Sequence, residues 1–375
     1  MKDTRPPAYH FWEQLMEQMN NDTSKFFSGE VVYPRQFEVH LPGNHLQPCD
    51  LHCSHCAGKL FQKDLGTWEM TALELLRKLG NGSPYHVYGG AYCEPLTNPY
   101  YLTFLHTTKT VGSHFGIHTN GALLLRLEEQ VGWLTELNRF STDRLDYLSV
   151  ALDAGLPQSW AKTKGIHNED LFFGIIEALG KAVKIRKDAA GKGHSIRLCY
   201  LITPHSASQE DFDNVVSIAK NIGVDTLRFS IPFASYNQPF DKVREYKQAR
   251  ETPMKDVYAK MLELHLSVSM DEKPYIFYSG PEFTDIDNYD FKQCAYCYFN
   301  MTYGADGYVY KCSTTSTPTM KTNRLGKITD DLEEFRRMVK MNQNPNWDTN
   351  NCFSRGARCN RMGIEINRTY AKLKG

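Results

Sequence analysis

QPCDLHCSHCAG, residues 47–58, places three cysteines within eight positions: Cys49, Cys53 and Cys56, separated by three residues and then by two. No further cysteine follows until Cys93. A structural zinc site takes four ligands, commonly as two closely spaced pairs, so this stretch is one thiol short. His45, His52 or His55 could supply the fourth ligand, and zinc is then the plain reading. A four-iron cluster also takes four ligands, unless one iron is meant to stay open. The stretch follows the apolar alternation QFEVHLP (36–42), which reads as a first strand. Three thiolates on a loop after that strand would leave such an open iron, and the missing ligand becomes the functional feature.

Outward from this loop, short apolar strands alternate with helical stretches. YHVYGG (85–90), FGIHTN (115–120), DYLSVALD (146–153), SIRLCYLIT (195–203) and TLRFSIPF (226–233) follow the first strand. Apolar spacing predicts helices between them over roughly 66–79, 98–109, 121–138, 168–186 and 207–221. Six β/α units in sequence imply an α/β fold with a parallel sheet, open or curled into a partial barrel. Phe11, Leu15 and Met19, four apart, predict a helix over 8–20. The chain is therefore expected to divide into an N-terminal helical extension (1–35), a partial barrel (36–239), a charged connection containing Pro253 (240–290) and a small cysteine-rich region (291–375).

Alternate side chains of a strand face opposite ways. One parity is apolar, as in Phe37, Val39, Leu41; Phe115, Ile117; Leu148, Val150, Leu152; and Leu227, Phe229, Ile231. The other is polar: Glu38, His40; His86, Tyr88; His118, Asn120; Ser149, Asp153; Arg197, Cys199; Arg228, Ser230. Polar groups are costly to bury without partners. The polar phase implies a lumen that accepts something polar, with His86, His118, Arg197 and Arg228 as candidate substrate contacts. Internal hydrogen-bonded networks are the alternative use of these groups.

Composition narrows the class. Lys and Arg number 43, as do Asp and Glu, so no charge excess points to nucleic acid or an anionic membrane. No apolar run reaches the roughly 20 residues of a membrane span, and MKDTRPPAYHFWEQLMEQM lacks the layout of a signal peptide. The expectation is a soluble, cytoplasmic protein. Lasting disulfides are rare in that compartment, so the clustered members of its ten cysteines favour metal.

The CxxxCxxC spacing of Cys49, Cys53 and Cys56, on the loop after the first strand, resembles the signature of the radical SAM superfamily. The resemblance implies a partial (βα)6 TIM-like barrel whose [4Fe-4S] cluster chelates S-adenosyl-L-methionine. It implies cleavage to a 5′-deoxyadenosyl radical that takes a hydrogen atom from the substrate, with an electron donor such as flavodoxin or ferredoxin. YGGAYCEPL (88–96) resembles the superfamily's second-strand motif, giving Glu94 to the methionine ammonium with Gly89 and Gly90 as backbone partners. Cys93 departs from the pattern, standing where glycine usually precedes the glutamate. HTNG (118–121) and SVALDAG (149–155) resemble the third and fourth strand endings, where Ser149 and Asp153 would bind ribose or substrate. TKG (163–165) is similar to a motif whose arginine meets the methionine carboxylate, so Lys164 takes that place, as a point charge rather than a fork.

CYFNMTYGADGYVYKC (297–312) is similar to the opening of the SPASM and twitch extensions. The late thiols are Cys294, Cys297, Cys312, Cys352 and Cys359, too few for two fully thiolate-bound clusters. One auxiliary [4Fe-4S] cluster on Cys297, Cys312, Cys352 and Cys359 is expected, with Cys294 as the substitute and structural zinc as the alternative. Such a cluster could take an electron from a substrate radical, making the reaction an oxidation. Cys93 and Cys199, outside both sets, are candidate hydrogen donors for a redox-neutral epimerisation; each could equally be a small buried apolar residue. The polar lumen favours a small hydroxylated substrate such as a sugar or aminocyclitol. Modification of a ribosomal peptide is the alternative, and a non-catalytic zinc or iron–sulfur protein the alternative of another class.

Overall fold

The computed structural model describes residues 21–22, 24–25, 28–43, 49–53, 55–56, 68–89, 94–141, 144–189, 192–230, 274–278, 291–316, 320–343, 347–353, 359 and 361–374. The expected helix over 8–20, and Gly90 and Cys93, lie outside them. The strands are β1 (Gln36–His40), β2 (Tyr85–Gly89), β3 (His114–Thr119), β4 (Tyr147–Ala151), β5 (Ser195–Leu201), β6 (Thr226–Ser230), β7 (Tyr275–Tyr278), β8 (Asn300–Tyr303), β9 (Tyr308–Tyr310) and β10 (Arg324–Lys327). The helices are α1 (Glu69–Leu79), α2 (Tyr101–Thr110), α3 (Leu124–Val131), α4 (Trp133–Phe140), α5 (Pro157–Lys164), α6 (Asp170–Asp188), α7 (Gln209–Ile222), α8 (Leu332–Asn342), α9 (Asn350–Phe353) and α10 (Arg361–Lys374).

Among the described residues the ten strands form one sheet in the order β10-β9-β8-β1-β2-β3-β4-β5-β6-β7. Strands β1 to β7 pair in parallel, each with the next, as successive β/α units require. The fold is thus the α/β partial barrel read from the sequence, with additions at both edges. Strand β7, in the stretch read as a connection, extends one edge. Strand β8 returns from the late region to lie parallel beside β1, and β9 and β10 continue from it antiparallel.

The helix-facing side of the sheet carries the core. Phe37, Val39, Phe115, Ile117, Leu148, Val150, Leu198 and Phe229 are fully buried there. Helix α6 answers with Phe172, Ile175, Ala178, Leu179, Ala182 and Val183, a stripe at helical spacing. Helix α7 starts where the Ser208 hydroxyl accepts from the Asp211 amide and ends at left-handed Gly223. The single helix expected over 121–138 is broken into α3 and α4, because Gly132 takes φ +64° between them. Helix α5 was not expected; Pro157 sits in its first turn, where a missing amide hydrogen costs nothing.

Candidate active site

Each candidate on a strand depends on which face it occupies, and the register settles this for the described residues. Phe37 pairs with His86, and His86 with Phe115, so His86 and Tyr88 share the helix-facing side. This corrects the sequence reading, which set both in the lumen. The His86 ring is edge-on to Phe37, with its Nδ1 3.2 Å from the Thr108 hydroxyl on α2. Burial drives its pKa down to about 3, so it is a neutral core residue and leaves the candidate substrate set. The lumen-facing residues of β2 are Tyr85, Val87 and Gly89. Tyr85 and Val87 cluster with Tyr147, so the lumen floor is more apolar than expected.

The remaining candidates gather on the inner face. Gly116 makes room for the floor: a Cβ there would stand 2.3 Å from the Tyr147 ring. The Arg197 guanidinium lies over that ring, 3.6 Å from its centre. The Tyr147 hydroxyl meets His118 Nε2 at 2.9 Å. Burial, then the charges of Arg228 and Arg197, push the His118 pKa down to about 3 and keep it neutral. The Ser149 hydroxyl is 3.0 Å from Cys199 Sγ, both buried. Phe277 on β7 pairs with Arg228 and adds an aromatic wall.

At the C-terminal ends of the parallel strands, where open α/β sheets bind their ligands, sits the cysteine loop. The Cys56 amide donates to the Cys53 carbonyl at 3.1 Å, turning the loop so that two thiols come from one bend. The His52 amide donates to the Lys164 carbonyl at 2.9 Å, which seats the loop on the end of α5. Next to it Gly165, at φ +65°, allows that approach: a Cβ would stand 2.2 Å from the His52 carbonyl oxygen. Asn120 Nδ2 reaches Cys49 Sγ at 3.6 Å and the Asp50 carboxylate at 3.2 Å.

Glu94 is buried beside this loop. Its carboxylate accepts from the Thr119 hydroxyl at 2.6 Å, the Asn120 amide at 2.8 Å and the Leu96 amide at 3.2 Å. Burial outweighs these three donors and raises its pKa to about 7. Its charge is also felt by Cys49. Lys164 and Asp153 form a buried pair at 2.6 Å, and the lysine also donates to the Ala151 carbonyl at 2.8 Å. Burial disfavours the ammonium, but Asp153, with Cys53 and Cys49 behind it, raises the lysine pKa overall. Asp153 holds φ +64°, and its other oxygen accepts from the Leu201 amide at 2.8 Å, tying the end of β4 to β5. Both carboxylate oxygens of Asp153 are therefore engaged by the protein.

The three thiols suit a cluster by their chemistry. Burial pushes Cys49 up to about 12 and Cys53 up to about 11, the latter against the pull of Lys164. Bare thiolates are disfavoured in such a place, and bound iron would reverse that balance. Cys53 raises Cys49, and Cys56 raises Cys53, which marks the three as neighbours. Among the described residues no three side chains already close around a metal position.

The late cysteines form a second group. Cys297 Sγ donates to the Cys294 carbonyl at 3.1 Å. Cys294 is pushed well up, first by its hydrogen bond with Cys297 and then by burial. Burial raises Cys352 to about 12, with the charges of Cys312 and Cys294 adding to it. Asn323 Nδ2 reaches Cys352 at 3.6 Å. Asn367 Nδ2 reaches Cys359 at 3.9 Å while its carbonyl accepts from the Ala295 and Tyr296 amides. Cys294, named as the substitute ligand, thus stands inside the group. The late region also touches the lumen: the Ser316 hydroxyl meets His40 Nδ1 at 2.9 Å.

Sequence reasoning missed Thr119 and Asn120 as partners of Glu94, Tyr147 as the lumen floor, and the seat of the loop on Gly165. Each is a pairing between distant stretches, and only HTNG and TKG carried a local signal.

No family model matches the chain, and no curated protein is similar to it. Solved structures are similar. Streptococcus suis SuiB matches with TM-score 0.53 at 12% identity, over 80% of this chain and 66% of SuiB. SuiB bound to S-adenosylmethionine matches with TM-score 0.51 at 12% identity, over 80% of this chain and 64% of that one. The chain therefore spans just under two thirds of the length of SuiB. Native anSMEcpe, with bound AdoMet and Cp18Cys peptide, matches with TM-score 0.50 at 14% identity, over 91% of this chain and 98% of that one. The fold of this chain is that of SuiB and anSMEcpe, the partial barrel that the resemblance to the radical SAM superfamily implied. Among the described residues no helix is long and apolar enough to cross a membrane.

Proposed function

We propose that this chain is a radical SAM enzyme that removes a hydrogen atom from a peptide substrate held in its lumen. One observation carries the reading. Three thiols lie at the C-terminal mouth of a parallel sheet, with the Glu94 charge felt at Cys49 and Lys164–Asp153 felt at Cys53. In this reading Cys49, Cys53 and Cys56 hold a [4Fe-4S] cluster and leave one iron open. When bound and reduced by a donor such as flavodoxin or ferredoxin, the cluster supplies the electron that cleaves S-adenosyl-L-methionine to a 5′-deoxyadenosyl radical.

The residues of the chain then divide the work. Glu94, held by Thr119 and Asn120, offers a carboxylate to the methionine ammonium. Gly89 ends β2 on the lumen side next to His118, where a Cβ would make only an ordinary contact at 3.5 Å. Lys164 keeps positive charge beside Cys53, and Asp153 holds Lys164. Arg197, Arg228, His118 and Ser149 face the substrate, against the aromatic surfaces of Tyr147 and Phe277.

The peptide reading draws on anSMEcpe, solved with AdoMet and a peptide and alike over nearly its whole length. It is also supported by the apolar cluster of Tyr85, Val87 and Tyr147 on the floor, which gives an apolar amino-acid side chain a surface to pack on. A sugar or aminocyclitol is the second reading, favoured by Arg197 and Arg228. The late cysteines are proposed to hold one auxiliary [4Fe-4S] cluster, and the Ser316–His40 contact brings their segment to the lumen. Net oxidation of the substrate is the proposed outcome.

The test is anaerobic reconstitution, followed by iron analysis and electron paramagnetic resonance with and without S-adenosyl-L-methionine. About eight irons are expected, with one signal shifting on addition. Deoxyadenosine formation is then followed with peptide pools and with polyols. No signal sensitive to S-adenosyl-L-methionine would sink the assignment, and turnover with polyols alone would replace the peptide.

A further inference from the structure

Three of the late thiols are met by hydrogen-bond donors held in place by the fold. Asn323 and Asn367 are both fully buried. Asn323 Nδ2 reaches Cys352 Sγ at 3.6 Å, while its Oδ1 accepts from the Thr322 hydroxyl at 3.3 Å. Asn367 Oδ1 accepts from the Ala295 and Tyr296 amides at 2.7 and 3.0 Å, which fixes the amide's orientation and turns Nδ2 to Cys359 Sγ at 3.9 Å. The Thr314 hydroxyl lies 3.2 Å from Cys312 Sγ. Thr315 is also near that sulfur, but its hydrogen goes to the Cys312 carbonyl at 3.0 Å. Trp347 hydrogen-bonds Cys352 as well, and its ring carries the Lys311 ammonium 4.3 Å from its centre. Lys311 is only 7% exposed, and its charge is felt at Cys294. A thiol sulfur is a weak acceptor, so buried amide hydrogens are poorly spent on it unless it carries charge, as a metal-bound thiolate does. The first cysteine group has different company. Cys49 Sγ lies 4.0 Å from the Asp50 carboxylate, the charges of Glu94 and Asp50 reach Cys49, and that of Asp153 reaches Cys53. Asn120 Nδ2 there is shared between Cys49 and Asp50, and Lys164 is held by Asp153.

We propose that Thr314, Asn323, Asn367 and Lys311 hold the reduction potential of the late cluster above that of the first, which makes the late site the better electron acceptor of the two. The inference rests on the reading above that the late cysteines bind a [4Fe-4S] cluster. A reduced cluster carries one more negative charge than an oxidised one. Hydrogen bonds to its sulfurs and a fixed cation beside it favour the reduced form, and neighbouring carboxylates favour the oxidised form. The four residues are positioning residues: they act through the sulfurs and ligate no iron themselves.

The test is a redox titration of the reconstituted full-length chain, read by electron paramagnetic resonance. Two reduced signals are expected, and the one insensitive to S-adenosyl-L-methionine should appear at the higher potential. Cys53→Ala then isolates the late cluster. In that background Thr314→Val and Asn323→Leu should each cut the reduced-to-oxidised ratio at the parent's midpoint about threefold. Lys311→Met should cut it about tenfold, a downward shift of about 60 mV, and Lys311→Arg should keep it within about twofold. Iron and sulfide are counted in every variant. Thr314→Val, which exchanges one hydroxyl for a methyl group, decides where another variant loses iron. Unchanged or raised midpoints in iron-replete Thr314→Val and Asn323→Leu would overturn the proposal, as would a late signal at the lower of the two potentials. Zinc in place of iron at the late site of Cys53→Ala would overturn it through the cluster reading itself, so the two failures are told apart.

Discussion

Cys53 is the residue on which the assignment turns, because it sits closest in charge to Lys164 and shares a backbone turn with Cys56. Replacing it with alanine should abolish deoxyadenosine formation and leave about half the iron, that of the late cysteines. Retained cleavage would remove the basis for the reading. Cys199 makes the opposite prediction. If the reaction is a net oxidation, Cys199→Ala should keep deoxyadenosine formation within about threefold and give a product free of solvent deuterium. Loss of deuterium incorporation present in the parent would instead mark Cys199 as a hydrogen donor. His86 bears on stability rather than chemistry. Burial holds His86 and His194 at pKa values of about 3, below the ordinary 6.5. The unfolded chain takes up these protons as pH falls through 6.5, and the folded chain does not until about 3. Their stability contribution is thus full above 6.5 and is lost on acidification, by about 1.4 kcal/mol per pH unit for each histidine. The parent slope also carries His118, likewise held at about 3, and in the opposite sense Glu94, raised to about 7. The check is therefore the difference between variants: urea midpoints of His86→Gln should fall less steeply on acidification than those of the parent, by one histidine. An equal slope would mean the ring is protonated in the fold. The cysteine spacing and Glu94 were legible because they lie in short local motifs. His86 was not, because YHVYG mixes polar and apolar residues at both parities and only pairing with β1 sets its phase.

At the scale of elements, the loop is held by the end of α5. Pro157 opens this helix, and left-handed Gly165 closes it directly beneath His52. Gly165→Ala meets two obstacles, φ +65° and a contact of 2.2 Å with the His52 carbonyl oxygen. The expected cost is about 1–3 kcal/mol, with loss of iron from the first site and retention at the late one. Urea unfolding and iron content check this, and full iron at both sites would show that the loop is seated some other way. TKG was readable as a motif, but its role as a seat was not, since nothing in the sequence says that His52 and Lys164 share a hydrogen bond. The break at Gly132 was likewise hidden, because apolar residues continue at helical spacing on both sides of it.

Over the whole molecule, the alternation of strands and helices made the parallel sheet legible, and the return of β8 to β1 was not. That pairing joins positions far apart in sequence, Gln36 with Asn300 through Val39 with Tyr303, and no local pattern announces it. It makes the late region part of the barrel's wall as well as the holder of the second cysteine group. Phe37 packs 5.4 Å from Tyr303 and 5.7 Å from Phe335 on α8, centre to centre. The Trp68 indole donates to the Ala305 carbonyl at 3.4 Å, and the Val32 amide to Gln343 Oε1 at 3.2 Å. Removing residues 291–375 would expose the edge of β1 and the apolar faces of Phe37 and Trp68 together. An unpaired edge beside exposed aromatic surface favours aggregation over a stable half-barrel. The 1–290 fragment should therefore fail to accumulate as a soluble monomer, and one recovered from aggregates should unfold without a cooperative transition. A soluble 1–290 fragment that unfolds cooperatively and binds S-adenosyl-L-methionine would show that β1 is sufficient without β8, and that the late region is an appendage.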